Sequence, residues 1–126
     1  MPDDAVEAAH RITRAVRSGN RNAALRGFID YSDALRRGVD LVELSSVEPP
    51  LTGSEGWDSA LAAVVDFWLG KAGVAVPSWV NNPIRISSVA ETPHLGRYDL
   101  PPDLNNVPDE FLRRNVLIER STLASV

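Results

Sequence analysis

One stretch constrains the fold more than any other. In "WDSALAAVVDFWLGKAG" the residues Trp57, Leu61, Val64, Val65, Trp68 and Leu69 recur at intervals of three and four, the period of a helix with one broad apolar face. Ala60 and Phe67 widen that face. A helix so apolar must lie at the centre of a core, and Gly70 or Gly73 ends it. The spacing therefore predicts a mainly helical, all-α chain, and 126 residues suit one domain.

Elements on either side fit this centre. "DDAVEAAHRITRAVRSGN" reads as a helix capped by Asp3 or Asp4, with Val6, Ala9, Thr13 and Val16 as a weak apolar face. "NRNAALRGFIDYSDALRRG" reads as a second, with Leu25, Phe28, Ile29, Ser32 and Leu35 inward and Gly38 as its stop. Joined at Gly19-Asn20, the two form a hairpin over residues 1–38. "VDLVEL" adds a short helical turn, and "SSVEPPLTGSEG" is a loop. The central helix and the turn after it span 57–80, where Pro77 starts a short helix carrying Trp79. Residues 84–106 read as a long loop anchored by Leu95, Tyr98, Leu100 and Leu104. In the final segment, 107–126, "PDEFLRRN" is a short helix. "VLIE" is a short strand or an extended piece, and Ser121 caps a last turn.

Charge is divided unevenly along the chain. His10 to Arg37 holds seven arginines against two acids, whereas Gly38 to Leu112 holds eleven acids against three bases. The net charge of −4 argues against nucleic acid as the main partner. With no cysteine there is neither a disulfide framework nor a thiolate metal site. The acidic start lacks the apolar region of a secretory signal, and no apolar run approaches membrane-span length. These features predict a cytoplasmic protein.

Catalytic patterns are missing from the sequence. The two histidines, His10 and His94, lie far apart, and no spacing of ligands suggests a metal. No serine sits in a nucleophile elbow, and no glycine-rich phosphate cradle occurs. Glu91, His94 and Asp99 fall near one another, but such a trio in a loop is more often solvated than catalytic. The expectation is a protein without enzymatic activity or cofactor.

Two features point to binding instead. His10, Arg14, Arg17 and Arg21 step along one helical face with Arg11 beside them, as a phosphate-contacting face would or as a plain solvated face would. The three tryptophans are eleven residues apart. Trp68 reads as core, while Trp57 and Trp79 sit at element edges, where one can stay partly exposed. The closing segment either folds Phe111, Leu112, Val116 and Ile118 onto the Trp57 helix, with Arg113 and Arg114 paired to acids, or presents apolar and arginine side chains to a partner.

"WDSALAAVVDFWLGKAGVAVPSW" followed by "DEFLRRNVLIERSTLAS" resembles a group of small actinobacterial antitoxin-like proteins, many encoded beside nucleotidyltransferase-like toxins. The likeness rests on Trp57, Pro77, Trp79, Phe111, Arg113, Arg114 and Leu123, and covers about a third of the chain. Members often carry an N-terminal helix-turn-helix domain, whose pattern is not found here. The resemblance implies a non-enzymatic antitoxin that neutralises a cognate toxin by direct binding, with Trp57, Trp79, Phe111, Arg113 and Arg114 as partner-binding residues. The alternative expectation is a nucleic-acid-binding regulator using Arg11, Arg14, Arg17 and Arg21.

Overall fold

The central helix forms as its periodicity requires. In the computed structural model, which describes residues 3–96 and 99–123, it is preceded by three helices: α1 (Ala5–Arg17), α2 (Arg21–Arg36) and α3 (Leu41–Ser45). The central helix itself is α4 (Glu55–Ala72), and α5 (Asp109–Leu112) is a single short turn. Four 3-10 turns cover Ser78–Asn81, Pro83–Arg85, Leu104–Asn106 and Arg120–Leu123. The protein is all-α and folds as one domain. Among the described residues there is no strand. "VLIE" contributes one isolated parallel bridge, Val116 to Glu91, so the extended reading of that segment holds and the strand reading does not.

Each long helix begins with a side-chain cap. Asp4 accepts from the Glu7 amide at 2.9 Å, Asn20 from that of Ala23 at 3.0 Å, and Ser54 from that of Trp57 at 3.3 Å. Helix α4 stops at Gly73, whose φ of 70° suits a residue without a Cβ. Twelve of its residues are buried, from Gly56 to Leu69. Around it lie Phe28, Tyr31 and Leu35 of α2, with Phe111, Val116, Ile118 and Leu123 closing the core from the C-terminal side. Phe111 stands edge-on to Phe28 and Phe67, each 6.4 Å between ring centres, and Phe28 lies 5.5 Å from Trp57.

Several expected faces are rotated. On α1 the buried residues are Ala5, Ala8, Ala9, Ile12 and Ala15, while Val6, Thr13 and Val16 lie at its margin. Alanines define that face because α1 packs closely on α2. A Cβ at Gly27 would sit 3.5 Å from side-chain carbons of Arg11 and Ile12. On α2, Ala24, Gly27 and Tyr31 share the buried face with Phe28, Ser32 and Leu35, and Leu25 and Ile29 border it. Of the three tryptophans Trp68 is the half-exposed one, its indole N–H donating to Ser32 at 2.8 Å, and both Trp57 and Trp79 are buried.

The 84–106 loop is held differently from expectation. Leu100 is 87% exposed and Leu104 is also exposed, Leu95 is half-buried, and Tyr98 lies outside the described residues. The anchors are polar. Arg85 and Ser87 are buried, the Ser87 amide donates to the Arg114 carbonyl at 3.0 Å, and Glu91 exchanges backbone bonds with Asn115 and Leu117. Ser121 lies inside the last 3-10 turn and not ahead of it.

Candidate functional site

Four of the five residues expected to bind a partner are part of the core. Trp57, Trp79 and Phe111 are buried, and so is Arg114. The Arg114 guanidinium donates to Asp66 at 3.0 Å, to the Glu110 carbonyl at 2.8 Å and to the Val80 carbonyl at 3.2 Å. Arg113 also pairs with Asp66, but its side chain is 58% exposed. The arginine pair is thus mainly a clamp that fastens α5 to α4. Asp66 of α4 is the carboxylate that both arginines share. Of the five, only Arg113 remains available to a partner.

The basic residues do not form one helical row. Gly19, at φ 69°, breaks the chain between helices, and Arg21 therefore opens α2 while Arg14 and Arg17 lie on α1. Arg11 is partly buried and bonded at 3.0 Å to both Asp3 and Asp30. Those carboxylates, Asp3 first, raise its pKa against the opposing effect of burial. Arg26, which the sequence pattern had not singled out, joins Arg11 and Arg14 along a groove of about 310 Å³ floored by Ala15 and Ala23.

The trio of Glu91, His94 and Asp99 does not converge on a common atom. Glu91 accepts from the Ser87 hydroxyl at 2.9 Å, and Asp99 from the Gly96 amide at 2.6 Å. Burial lowers the pKa of His94, with Asp99 and Glu119 acting in the opposite direction. Among the described residues no cluster of potential metal ligands occurs, and no helix is long and apolar enough to cross a membrane.

A surface without any motif is the most distinctive. Val47, Leu51, Ile84, Ile86 and Val89 are each 47–63% exposed. They lie on two segments fastened together by the fully buried Arg85, which donates to the Pro49 carbonyl at 2.6 Å and to Glu48 at 3.3 Å. Arg85 also sits 5.1 Å from the ring centre of Trp79, whose N–H donates to the Ser45 carbonyl at 2.8 Å. Ser88 adds a bond to Glu55 at 2.6 Å, which holds the Glu55 carboxylate below its usual pKa. The exposed acids Glu48 and Glu55 belong to the same region through their bonds to Arg85 and Ser88. At one end Ile86 shares a cleft of about 130 Å³ with Arg113.

Nothing in the sequence marked this surface, because Arg85 reads as one more polar residue in a proline-rich stretch. Compared with family models, curated proteins and solved structures, the chain matches none.

Proposed function

We propose that this chain is a non-enzymatic, antitoxin-like cytoplasmic protein that neutralises a cognate toxin by direct contact. The observation that carries the reading is the set of exposed apolar side chains Val47, Leu51, Ile84, Ile86 and Val89, on two segments tied together by Arg85. Exposed apolar groups are costly in water, and where several are gathered they mark protein contacts. Glu48 and Glu55 beside them favour a basic, RNA-handling partner surface, which opposite potentials would draw in. Arg113, beside Ile86, supplies a rim cation. The resemblance of the α4 and C-terminal motifs to antitoxin-like proteins agrees with this use.

Co-expression with the product of the adjacent gene tests the proposal. Co-purification and rescue of growth are expected, and both should be lost in the I86D/V89D double variant, whose changes fall at exposed positions. No complex, or a complex indifferent to I86D/V89D, rules the proposal out. A second reading, nucleic-acid binding, is supported by the exposed Arg14, Arg17, Arg21 and Arg26, which make no ion pair among the described residues. Gel shifts that weaken steeply with salt would favour it over the first.

A further inference from the structure

Beyond Thr92 the long loop loses its hydrogen bonds to the rest of the molecule. Up to that point it is tied down. The Thr92 hydroxyl donates to the Leu117 carbonyl at 2.9 Å, and Glu91 exchanges backbone bonds with Asn115 and Leu117. Among the described residues from 93 to 106, bonds run only within the loop. The Leu95 amide donates to the Thr92 carbonyl at 3.1 Å, the Gly96 amide to Asp99 at 2.6 Å, and Asn105 and Asn106 to Asp103. From 99 to 106 every residue but Pro102 is exposed, whereas 93–96 is half-buried. Packing of 93–96 is therefore what holds the loop to the body ahead of the buried Val107.

His94 stands in the middle of that stretch. Its Nδ1 is buried and has no hydrogen-bond partner. In the neutral ring a proton on Nε2 leaves Nδ1 a bare acceptor. In the imidazolium both nitrogens carry protons, so a charged donor would be buried with nothing to receive it. Water satisfies such a group far better than that site does. We infer that His94 is a proton-sensitive fastener: uncharged, it lets 93–96 lie against the body, and charged, it drives the stretch off.

Neighbouring charges set where the switch operates. Among the described residues, Asp99 of the loop and Glu119 of the C-terminal segment act on the ring and favour the cation. Burial acts more strongly and holds its pKa below the usual 6.5. On the side of α2 the charge is Arg21, so near Gly96 that a Cβ there would lie 2.6 Å from the guanidinium. The seated ring thus binds its proton less tightly than a released one, and lowering the pH favours release.

Release has a defined consequence. Pro93 walls a cavity of about 260 Å³ whose lining includes Ser54, Ala24 and the buried Trp57. Lifting 93–96 opens that cavity and bares the edge of the tryptophan. Ile84, Ile86 and Val89 precede the Glu91 bridge to Val116, so the switch is separate from the proposed partner face and does not depend on it.

The ¹⁵N-labelled full chain is titrated from about pH 7.5 to about pH 5, the range in which histidine changes charge. The Leu95 and Gly96 amides and the Trp57 indole N–H should move together, with one midpoint below 6.5 that the His94 ring shares. Amides of Val89 and of α4 should stay in place. H94Q, neutral throughout at a half-buried position, should keep 93–96 seated and show no step. The D99N/E119Q double variant, which removes both acids that favour the cation, should move the midpoint lower still. Four results would each overturn the inference: no step in the wild type, a step that persists in H94Q, 93–96 already released in H94Q at the start, or α4 amides lost at the same midpoint.

Discussion

The replacement F111A separates a core role for the C-terminal segment from a docking role. Phe111 is fully buried against Phe28 and Phe67 in edge-on contacts. Truncating a buried phenylalanine costs about 3–5 kcal/mol from lost transfer energy and the cavity left behind. The range already includes much of the aromatic contact, so about 4 kcal/mol is the working figure. With a urea m-value of about 1.5 kcal/mol/M the midpoint should fall by roughly 2.5 M. In a chain of this length it should also lower Tm by roughly 12–16 °C. Chemical denaturation of wild type, F111A and L100A provides the assay. Leu100 is 87% exposed, and its truncation should change stability by less than about 0.5 kcal/mol. A cost below about 1 kcal/mol for F111A would show that Phe111 is not packed as described, and would return it to the set of residues free to meet a partner.

Other perturbations probe single contacts. D66N removes the charge partner of the buried Arg114 and should cost about 3 kcal/mol, whereas R113Q, which alters an exposed group, should cost under about 1 kcal/mol. Urea titrations of the two variants check the difference, and equal costs would refute the clamp. S32A strands both the Trp68 indole N–H and the Leu123 carbonyl and should lose about 1–3 kcal/mol by the same assay. G70A, at an exposed helical position where a Cβ meets nothing, should raise stability by about 0.5–1 kcal/mol in a thermal melt. His94 has a folded pKa below its unfolded value, so the unfolded chain binds the extra proton. Stability should therefore fall as pH drops through the unfolded value near 6.5 towards the lower folded one, and H94Q should flatten that slope in melts taken from pH 7 to 5.

What was legible in the sequence was what local physics dictates. The period of α4, the cap at Asp4 and the break at Gly19 all act over a few residues, and each reads directly from residue types. What was illegible depends on pairs far apart in the chain. Alanine carries too little hydropathy to reveal that Ala5, Ala8 and Ala15 join Ala9 in facing a close helix neighbour. Trp68 has the spacing of a core residue, but it lies at the edge of the apolar arc and turns its N–H to Ser32, 36 residues away.

The same argument explains why the expected site and the observed surfaces differ. Tryptophan, phenylalanine and paired arginines are the residues of interface hot spots, and they are also those a small domain needs to close its own core. Here Asp66 and Glu110 are positioned to bind Arg114, and Phe28 and Phe67 to receive Phe111, so the fold itself uses these groups. The motif is therefore spent on joining α4 to the C-terminal segment. The apolar residues on the two segments that Arg85 ties together stay exposed outside that joint. Replacing Arg85 with methionine should test this division of labour, because it keeps an apolar stem but removes the bonds to Glu48 and Pro49. Amide exchange should quicken across 46–51 and 84–89 while α4 stays protected. If exchange quickened equally through α4, the apolar segments would belong to the core's cooperative unit and would not form a separately fastened face.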